Sequence, residues 1–156
     1  MTTSIDTERD LVVSRIIRAP RAAVWSAWTE PAKFEQWWVP APAECRVAGF
    51  DLHPGGAFRT EIRERGGDFS PHIDGCFLAV DHLERIVFTT ALVGGWRPAP
   101  NPFMTATITF ADHPEGTEYT ATAMHKDITD RNTHDQLGFQ DGWGTVTRQL
   151  AQLAEA

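Results

Sequence analysis

The feature that most constrains the fold of this chain is a change of hydrophobic period near residue 43. Apolar residues recur at helical spacing between residues 20 and 38, and they alternate with polar residues from there to about residue 126. The alternation and the intervening Gly, Pro and Asp turns predict six successive strands: Glu44–Leu52, Ala57–Arg65, His72–Asp81, Arg85–Leu92, Phe103–Phe110 and Glu118–Lys126. Since mostly short turns join these strands, they indicate an antiparallel meander.

Helices are predicted on both sides of this meander. The β-branched segment Leu11–Arg18 predicts a first strand, and Pro20 and Pro31 each stand at the start of a short helix. After the meander, Thr129 or Asp130 is expected to cap one helix that runs nearly to the end of the chain. Seven strands with the helices segregated from them predict an α+β fold.

Composition and charge exclude several classes of protein. A length of 156 residues fits a single domain, 1–156, and the net charge of −7 with scattered basic residues argues against nucleic acid as a partner. No apolar run is long enough for membrane insertion. A polar, acidic N-terminus and only two cysteines predict a cytoplasmic protein without a disulfide framework.

The segment GFQDGWG, residues 138–144, is unusual for a helix because it holds three glycines. Phe139 and Trp143 lie on one apolar stripe, which continues through Val146, Leu150 and Leu153. Gly138 and Gly142 lie four residues apart along the flank of that stripe. They predict a groove, either for close approach of the helix backbone to the sheet or for open space; Gly144 lies on the far side and is not explained.

Small residues on two strands extend this argument to the sheet. Tyr119, Ala121, Ala123 and His125 share one face of their strand, and Ala106 shares a face with Met104. Interiors are normally close-packed, so small residues opposite a grooved helix predict a cavity between the sheet and the C-terminal helix. The alternative is that the six tryptophans fill this volume.

Four sequence motifs resemble a known family. In order along the chain they are RAPRAAVWSAWTEPAKFEQWW, FDLHPGGAFR, DHLERIVFT and GFQDGWG. They resemble homologues of the C-terminal domain of the heat-shock ATPase activator, which belong to the START-like (SRPBCC) superfamily. The resemblance implies a helix-grip fold, in which a curved antiparallel sheet of about seven strands surrounds a long C-terminal helix and two short helices close one end.

The same resemblance implies a range of functions. Superfamily members bind lipids, hormones or polyketides between the sheet and the helix, and others are cyclases, aromatases, hydrolases or a co-chaperone domain. Fold alone does not choose among them, so the choice depends on the residues of the site.

Histidines and aromatic residues are the candidate site residues. His125 shares the small-residue face of its strand, and His72 and His134 are the other histidines that the pattern places near the cavity. Such a histidine acts as an acid or base, orients a polar group of a ligand, or is structural. The predicted ligand-binding residues are His72, Trp96, Arg97, Tyr119, His125, His134, Phe139, Gly142 and Trp143.

No metal or other cofactor is expected. His125 and His134 are nine residues apart, which matches no standard spacing of zinc ligands, and no pair of cysteines accompanies them. Arg97, in the longest loop with Trp96, would instead meet an anionic group of a ligand if that loop covers the cavity.

These observations favour a protein that binds a small hydrophobic or aromatic molecule in the cavity. The first alternative is a cyclase, dehydratase or hydrolase in which His125 is the acid or base. The second is a protein-interaction or co-chaperone-like module that uses the outer face of the sheet. A monomer and a homodimer are both compatible with the sequence.

Overall fold

The predicted seven-stranded antiparallel sheet is present in the computed structural model, which describes residues 5–156. Its strands are β1 (Asp10–Ile17), β2 (Glu44–Phe50), β3 (Ala57–Arg63), β4 (Ser70–Asp81), β5 (Arg85–Thr89), β8 (Thr105–His113) and β9 (Gly116–Met124), and a hairpin of β6 (Leu92–Val93) and β7 (Arg97–Pro98) stands apart from them. The order across the sheet is β1-β9-β8-β5-β4-β3-β2. The first strand therefore lies at one edge of the sheet and pairs with the last strand.

Within the described residues, four helices complete the fold: α1 (Arg21–Thr29), α2 (Pro31–Phe34), α3 (Ile128–Gln136) and α4 (Phe139–Glu155). The apolar stripe of α4 faces the interior, and this helix contacts β1 and α1. The α+β helix-grip architecture is thus confirmed. None of the helices within residues 5–156 combines the length and the apolarity needed to cross a bilayer.

The prediction of one continuous C-terminal helix is wrong. The segment forms two helices that meet at Gly138, whose φ of +95° lies in the left-handed region that glycine adopts without strain. Gly138 therefore precedes α4 and does not flank its stripe. The helical segment also begins earlier than expected, since Asp127 caps α3 by accepting a hydrogen bond from the Asp130 N–H at 2.9 Å.

Two further differences lie next to prolines. The helix begun by Pro31 ends at Phe34, so the following tryptophans lie in turns and not on a longer helix. Phe103 lies outside the strand expected to start there, because β8 begins at Thr105. The strand starts later because the Phe103 and Met104 N–H groups both donate to the Thr90 side-chain hydroxyl, each at 3.0 Å, and not to a backbone carbonyl of a neighbouring strand.

The interior at the α1–α2 end of the molecule is filled by large rings, and we call this set the aromatic core. It consists of Trp28, Phe34, Trp37, Phe58, Phe77 and Phe88, each at most 1% exposed. Trp28 is central, with ring centroids between 5.0 and 6.4 Å from those of four other members. Its indole N–H donates to the Tyr119 hydroxyl at 3.2 Å, so the buried polar atom of this ring is satisfied.

Candidate ligand-binding cavity

A cavity of about 500 Å³ lies between the sheet and the start of α4. Its walls come from the turn after α2, from β4, from the segment before β8 and from α3 and α4. The lining residues are mostly apolar and none carries a full charge at neutral pH when its histidines are neutral: Trp38, Val39, Pro40, His72, Ile73, Phe103, Met104, His134, Leu137, Gly138, Phe139, Gly142, Trp143 and Val146. Its size and lining are typical of a site for a small organic molecule.

Gly142 contributes open space to this cavity. A Cβ atom built on it would meet no heavy atom within 4 Å other than the neighbouring backbone. The sequence left open whether the groove beside the α4 stripe allows close packing or leaves space, and the second alternative is correct. Phe139 and Trp143, on either side of Gly142, form an aromatic wall with ring centroids 4.9 Å apart.

The alanines that first indicated a cavity do not line it. Ala106, Ala121 and Ala123 are buried on the inner face of the sheet, as predicted. However, α1 contacts both β8 and β9, so small residues there are consistent with close packing against a helix. The open volume lies further along, where Met104 precedes β8.

His134 reaches the cavity because the helix breaks after it. On one continuous helix it would project away from the stripe of Phe139 and Trp143, whereas the bend at Gly138 places its ring centroid 5.1 and 6.0 Å from theirs. Phe103 covers the ring from another side, at 4.9 Å. Burial among these rings, with the nearby His125 as a lesser cause, lowers the pKa of His134 to about 4.

His125 lies behind His134 and does not line this cavity. It is 6% exposed, and both of its ring nitrogens are engaged: Nδ1 lies 2.8 Å from the Arg9 carbonyl oxygen and Nε2 lies 2.9 Å from His134 Nδ1. His125 therefore has no free nitrogen to offer to a ligand. Of the two histidines, His134 is the one that a molecule in the cavity contacts.

His72 supplies the second polar group of the cavity. His72 is an exposed residue of β4, and partial desolvation at the cavity wall lowers the pKa of its ring from the ordinary value. The Thr60 hydroxyl is 3.1 Å from His72 Nδ1 and also accepts the Ile73 N–H at 3.3 Å. When that hydroxyl donates to Nδ1, the Nε2 atom of a neutral His72 carries the hydrogen.

Trp38 forms the boundary between the cavity and the aromatic core. Its ring lies 5.7 Å from Trp28 and 6.3 Å from Trp143. Gln149 of α4 holds this segment in place, because its amide donates to the Trp37 and Val39 carbonyls at 3.1 and 2.8 Å. The buried Nε1 atom of Trp38 has no hydrogen-bond partner among residues 5–156.

Besides His125, three of the nine predicted ligand residues do not line the cavity and lie elsewhere in the fold. Tyr119 belongs to the closed end, where it is 2% exposed and bonded to Trp28. Trp96 and Arg97 lie in the β6–β7 hairpin, and Trp96 packs over Gly55 of the preceding turn. The hairpin therefore does not place these two residues in the cavity wall.

The segment Phe103–Met104 is a major part of the site that the sequence pattern did not indicate. An assumed strand there put Phe103 on the outer face, opposite Met104. Since the strand begins two residues later, both residues border the cavity. The prolines at 100 and 102 were the available signal for this irregular backbone.

Three smaller or more polar pockets lie nearby. Two of about 270 and 310 Å³ share Phe103 and Met104 with the main cavity, so these residues separate the three spaces. A fourth, of about 510 Å³, lies against the turn at residues 53–56 and has Asp51, Arg59 and Asp74 in its wall. Within the described part of the chain, no group of three or more His, Cys, Asp or Glu is arranged to hold a metal ion.

Comparison with known families agrees with this fold. Residues 18–155 match the family described as Activator of Hsp90 ATPase homolog 1-like protein. The chain belongs to this family. No curated protein matches it significantly.

Several solved structures have the same architecture. Protein NE0264 from Nitrosomonas europaea is 42% identical, with 97% of each chain covered and a TM-score of 0.88. An AHSA1-like protein from Aeromonas hydrophila is 20% identical, covering 94% of this chain and 92% of its own, with a TM-score of 0.69. Protein Ms6760 from Mycobacterium smegmatis is 21% identical, covering 94% of this chain and 91% of its own, with a TM-score of 0.78. Because the proteins from Aeromonas hydrophila and Mycobacterium smegmatis are so distant in sequence, their similarity to this chain concerns the fold alone.

Proposed function

We propose that this AHSA1-like protein binds a small, neutral, hydrophobic or aromatic molecule in the cavity between its sheet and α4. The observation that carries the proposal is the 500 Å³ volume, walled by aromatic and aliphatic side chains with His72 and His134 as its polar groups. Burying an apolar molecule there is favoured by roughly 25 cal/mol for each Å² removed from water. The two histidines then orient the polar atoms of the molecule.

The cavity also supports this function over the interaction module. A protein that acts only through the outer face of its sheet needs no open volume inside, and interiors without a function for such volume are close-packed. Location in the cytoplasm, a single domain over residues 1–156, and a monomer or homodimer complete the proposal.

Thermal shift with a panel of hydrophobic and aromatic compounds tests the binding function. A compound at about 100 times its Kd raises the free energy of unfolding by about 2.7 kcal/mol, so binders are identified by a higher Tm. The decisive variant is Gly142→Leu, whose side chain enters space that is open in the native protein. We expect Gly142→Leu to fold normally and to lose the ligand-induced shift.

Gly144→Leu is the matched control. It makes the same substitution on the same helix, also at a position with no heavy atom within 4 Å, but Gly144 does not line the cavity. It should keep the shift. If no compound of the panel stabilises the protein, or if Gly142→Leu binds as well as the native chain, the binding function is refuted.

The contact between His125 and His134 favours an enzyme as the second candidate function. A histidine whose far side is held by another histidine resembles a positioned general base, but the group that touches the substrate is His134 and not His125. Native mass spectrometry of a bound molecule distinguishes the two functions. A binding protein returns the molecule unchanged after incubation, whereas an enzyme returns it with a new mass, and His134→Phe prevents that change.

A further inference from the structure

The hydrogen bonds around His125 determine where its hydrogen lies. The Arg9 carbonyl oxygen, 2.8 Å from His125 Nδ1, only accepts hydrogen bonds. Nδ1 must therefore carry a hydrogen. The Arg9 carbonyl also accepts the backbone N–H of His125 at 3.0 Å, so the β9 end is tied to the N-terminal segment at the same point.

The second contact extends this assignment to His134. His125 Nε2 and His134 Nδ1 are 2.9 Å apart, and one hydrogen lies between them. When both rings are neutral, His125 already has its hydrogen on Nδ1, so the shared hydrogen belongs to His134 Nδ1. The Nε2 atom of His134 is then left with a lone pair.

Protonation of the histidine pair also identifies His134 Nε2 as its free acceptor atom. His125 Nδ1 and the shared position are already occupied, so the next proton binds His134 Nε2, whichever ring carries the formal charge. This atom has no hydrogen-bond partner among the described residues and is not one of their fully buried polar atoms. It therefore keeps some solvent-accessible surface, and it belongs to a residue that lines the cavity.

We infer that His125 and His134 form one unit that presents a hydrogen-bond acceptor, His134 Nε2, to the cavity, and that the ligand carries a matching O–H or N–H donor. This rests on the proposed binding function and assigns its ligand class: a neutral apolar or aromatic molecule with a hydroxyl, phenol or ring N–H group. His125 is a positioning residue. It selects the tautomer of His134 without touching the ligand.

The surroundings of His134 maintain this state at neutral pH. Phe103 covers the ring from the segment before β8, and Phe139 and Trp143 cover it from α4, all without charge. Two titratable neighbours act on it: His125, which disfavours a charged His134, and Asp135 on its own helix, which favours it less strongly than burial opposes it. His72 is the other titratable group of the cavity, and its own pKa is lowered by burial.

The same arrangement disfavours carboxylate ligands. A carboxylate has only acceptor atoms near neutral pH, so it repels the lone pair of His134 Nε2, and the histidine donor left to it is the neutral Nε2–H group of His72. Among residues 5–156, no lysine or arginine lines the cavity to offset its charge. Arg97, which the sequence suggested as a partner for an anion, lies in the hairpin outside it.

Nitrogen NMR of the histidine rings tests the proton arrangement without any ligand. At pH 8, we expect the Nδ1–H tautomer for both His125 and His134, and the Nε2 atom of His134 should have the shift of an unprotonated nitrogen. His125→Phe removes the acceptor for His134 Nδ1–H, so the Nε2–H form of His134 should appear. A protonated Nε2 in the native protein, or no change of tautomer in His125→Phe, overturns the inference.

Three probes of similar shape test the ligand class: naphthol, its methyl ether and naphthoate. We expect naphthol to bind about tenfold more tightly than the ether, the factor that one hydrogen bond of about 1.4 kcal/mol supplies, and naphthoate to bind most weakly. In His134→Phe the ratio of naphthol to ether affinity should fall to about one. His53→Phe, in an exposed turn, is the control and should keep the native ratio.

These results separate the two proposals. Absence of binding for both naphthol and the ether contradicts the binding function, and the NMR experiment still decides the proton arrangement. Equal binding of naphthol and ether to the native protein contradicts the ligand class while supporting an apolar binding site. A preference for naphthol that persists in His134→Phe assigns the acceptor to another residue and refutes the inference.

Discussion

The two ends of the interior use the same kinds of residue to opposite effect. Under α1 and α2, Trp28 and the other rings of the aromatic core are almost entirely inaccessible to solvent. Under the junction of α3 and α4, Phe139 and Trp143 only form the wall of an open cavity. The difference comes from the backbone path and from the size of one residue. At the second end the helix is interrupted at Gly138, and Gly142 has no side chain to fill the volume.

The largest expected effect concerns the filled end. Trp28→Ala removes a fully buried ring from the centre of the aromatic core and should lower the free energy of unfolding by about 3–5 kcal/mol. Trp143→Ala, in a partly exposed wall, should cost about 1–2 kcal/mol. Urea denaturation measures both. Equal losses would show that the two ends are packed equally well.

A smaller effect is expected for Tyr119→Phe. Loss of the hydroxyl leaves the buried Trp28 N–H without its acceptor, at a cost of about 1–2 kcal/mol in the free energy of unfolding. Because Tyr119 belongs to the filled end, naphthol affinity should not change, as measured by tryptophan fluorescence. A loss of affinity would show that naphthol binds near Tyr119, at the end filled by the aromatic core, and not in the cavity.

His134, at the open end, should make the free energy of unfolding depend on pH. The folded pKa of His134 is about 4, below the 6.5 of a free histidine, so the unfolded chain takes up a proton first as the pH falls. The stability present above pH 6.5 is therefore lost between pH 6.5 and 4. Because the ring is partly exposed, screening reduces the loss to about 1 kcal/mol.

Denaturation at several pH values measures this effect. His134→Phe should flatten the curve in the same interval, although His72, whose pKa is also lowered, retains a contribution of the same sign. An unchanged curve in this variant would show that His134 is solvated like an exposed histidine.

The smallest effects are those of adding single methyl groups to α4. Gly142→Ala and Gly144→Ala each replace a helical glycine at a position without steric conflict, so each should raise the free energy of unfolding by about 0.5–1 kcal/mol. Only Gly142→Ala reduces the cavity, and only it should weaken naphthol binding. Equal effects of both variants on affinity would remove Gly142 from the site.

The site was predictable in part. His134, Phe139, Gly142 and Trp143 lie close together in sequence, and the pattern GFQDGWG identified this segment before its fold was known. Phe103 was missed because a strand was assumed to include it. Trp96 and Arg97 were predicted as ligand residues because the sequence does not show where a long loop lies relative to the sheet. In the structure, the pairing of β6 with β7 fixes the position of this loop.

Local patterns in the sequence determined the order and type of most elements: β-branched residues predicted the first strand, alternation predicted the other six, and helical spacing predicted the apolar stripe of α4. Only the tertiary structure decided that His125 lies behind His134 and that Gly142 borders empty space. The reason is physical. Periodicity shows which face of an element is apolar. The helix break at one glycine depends on how the elements pack together, and so do the hydrogen bonds between residues that are 9 or 116 positions apart in sequence.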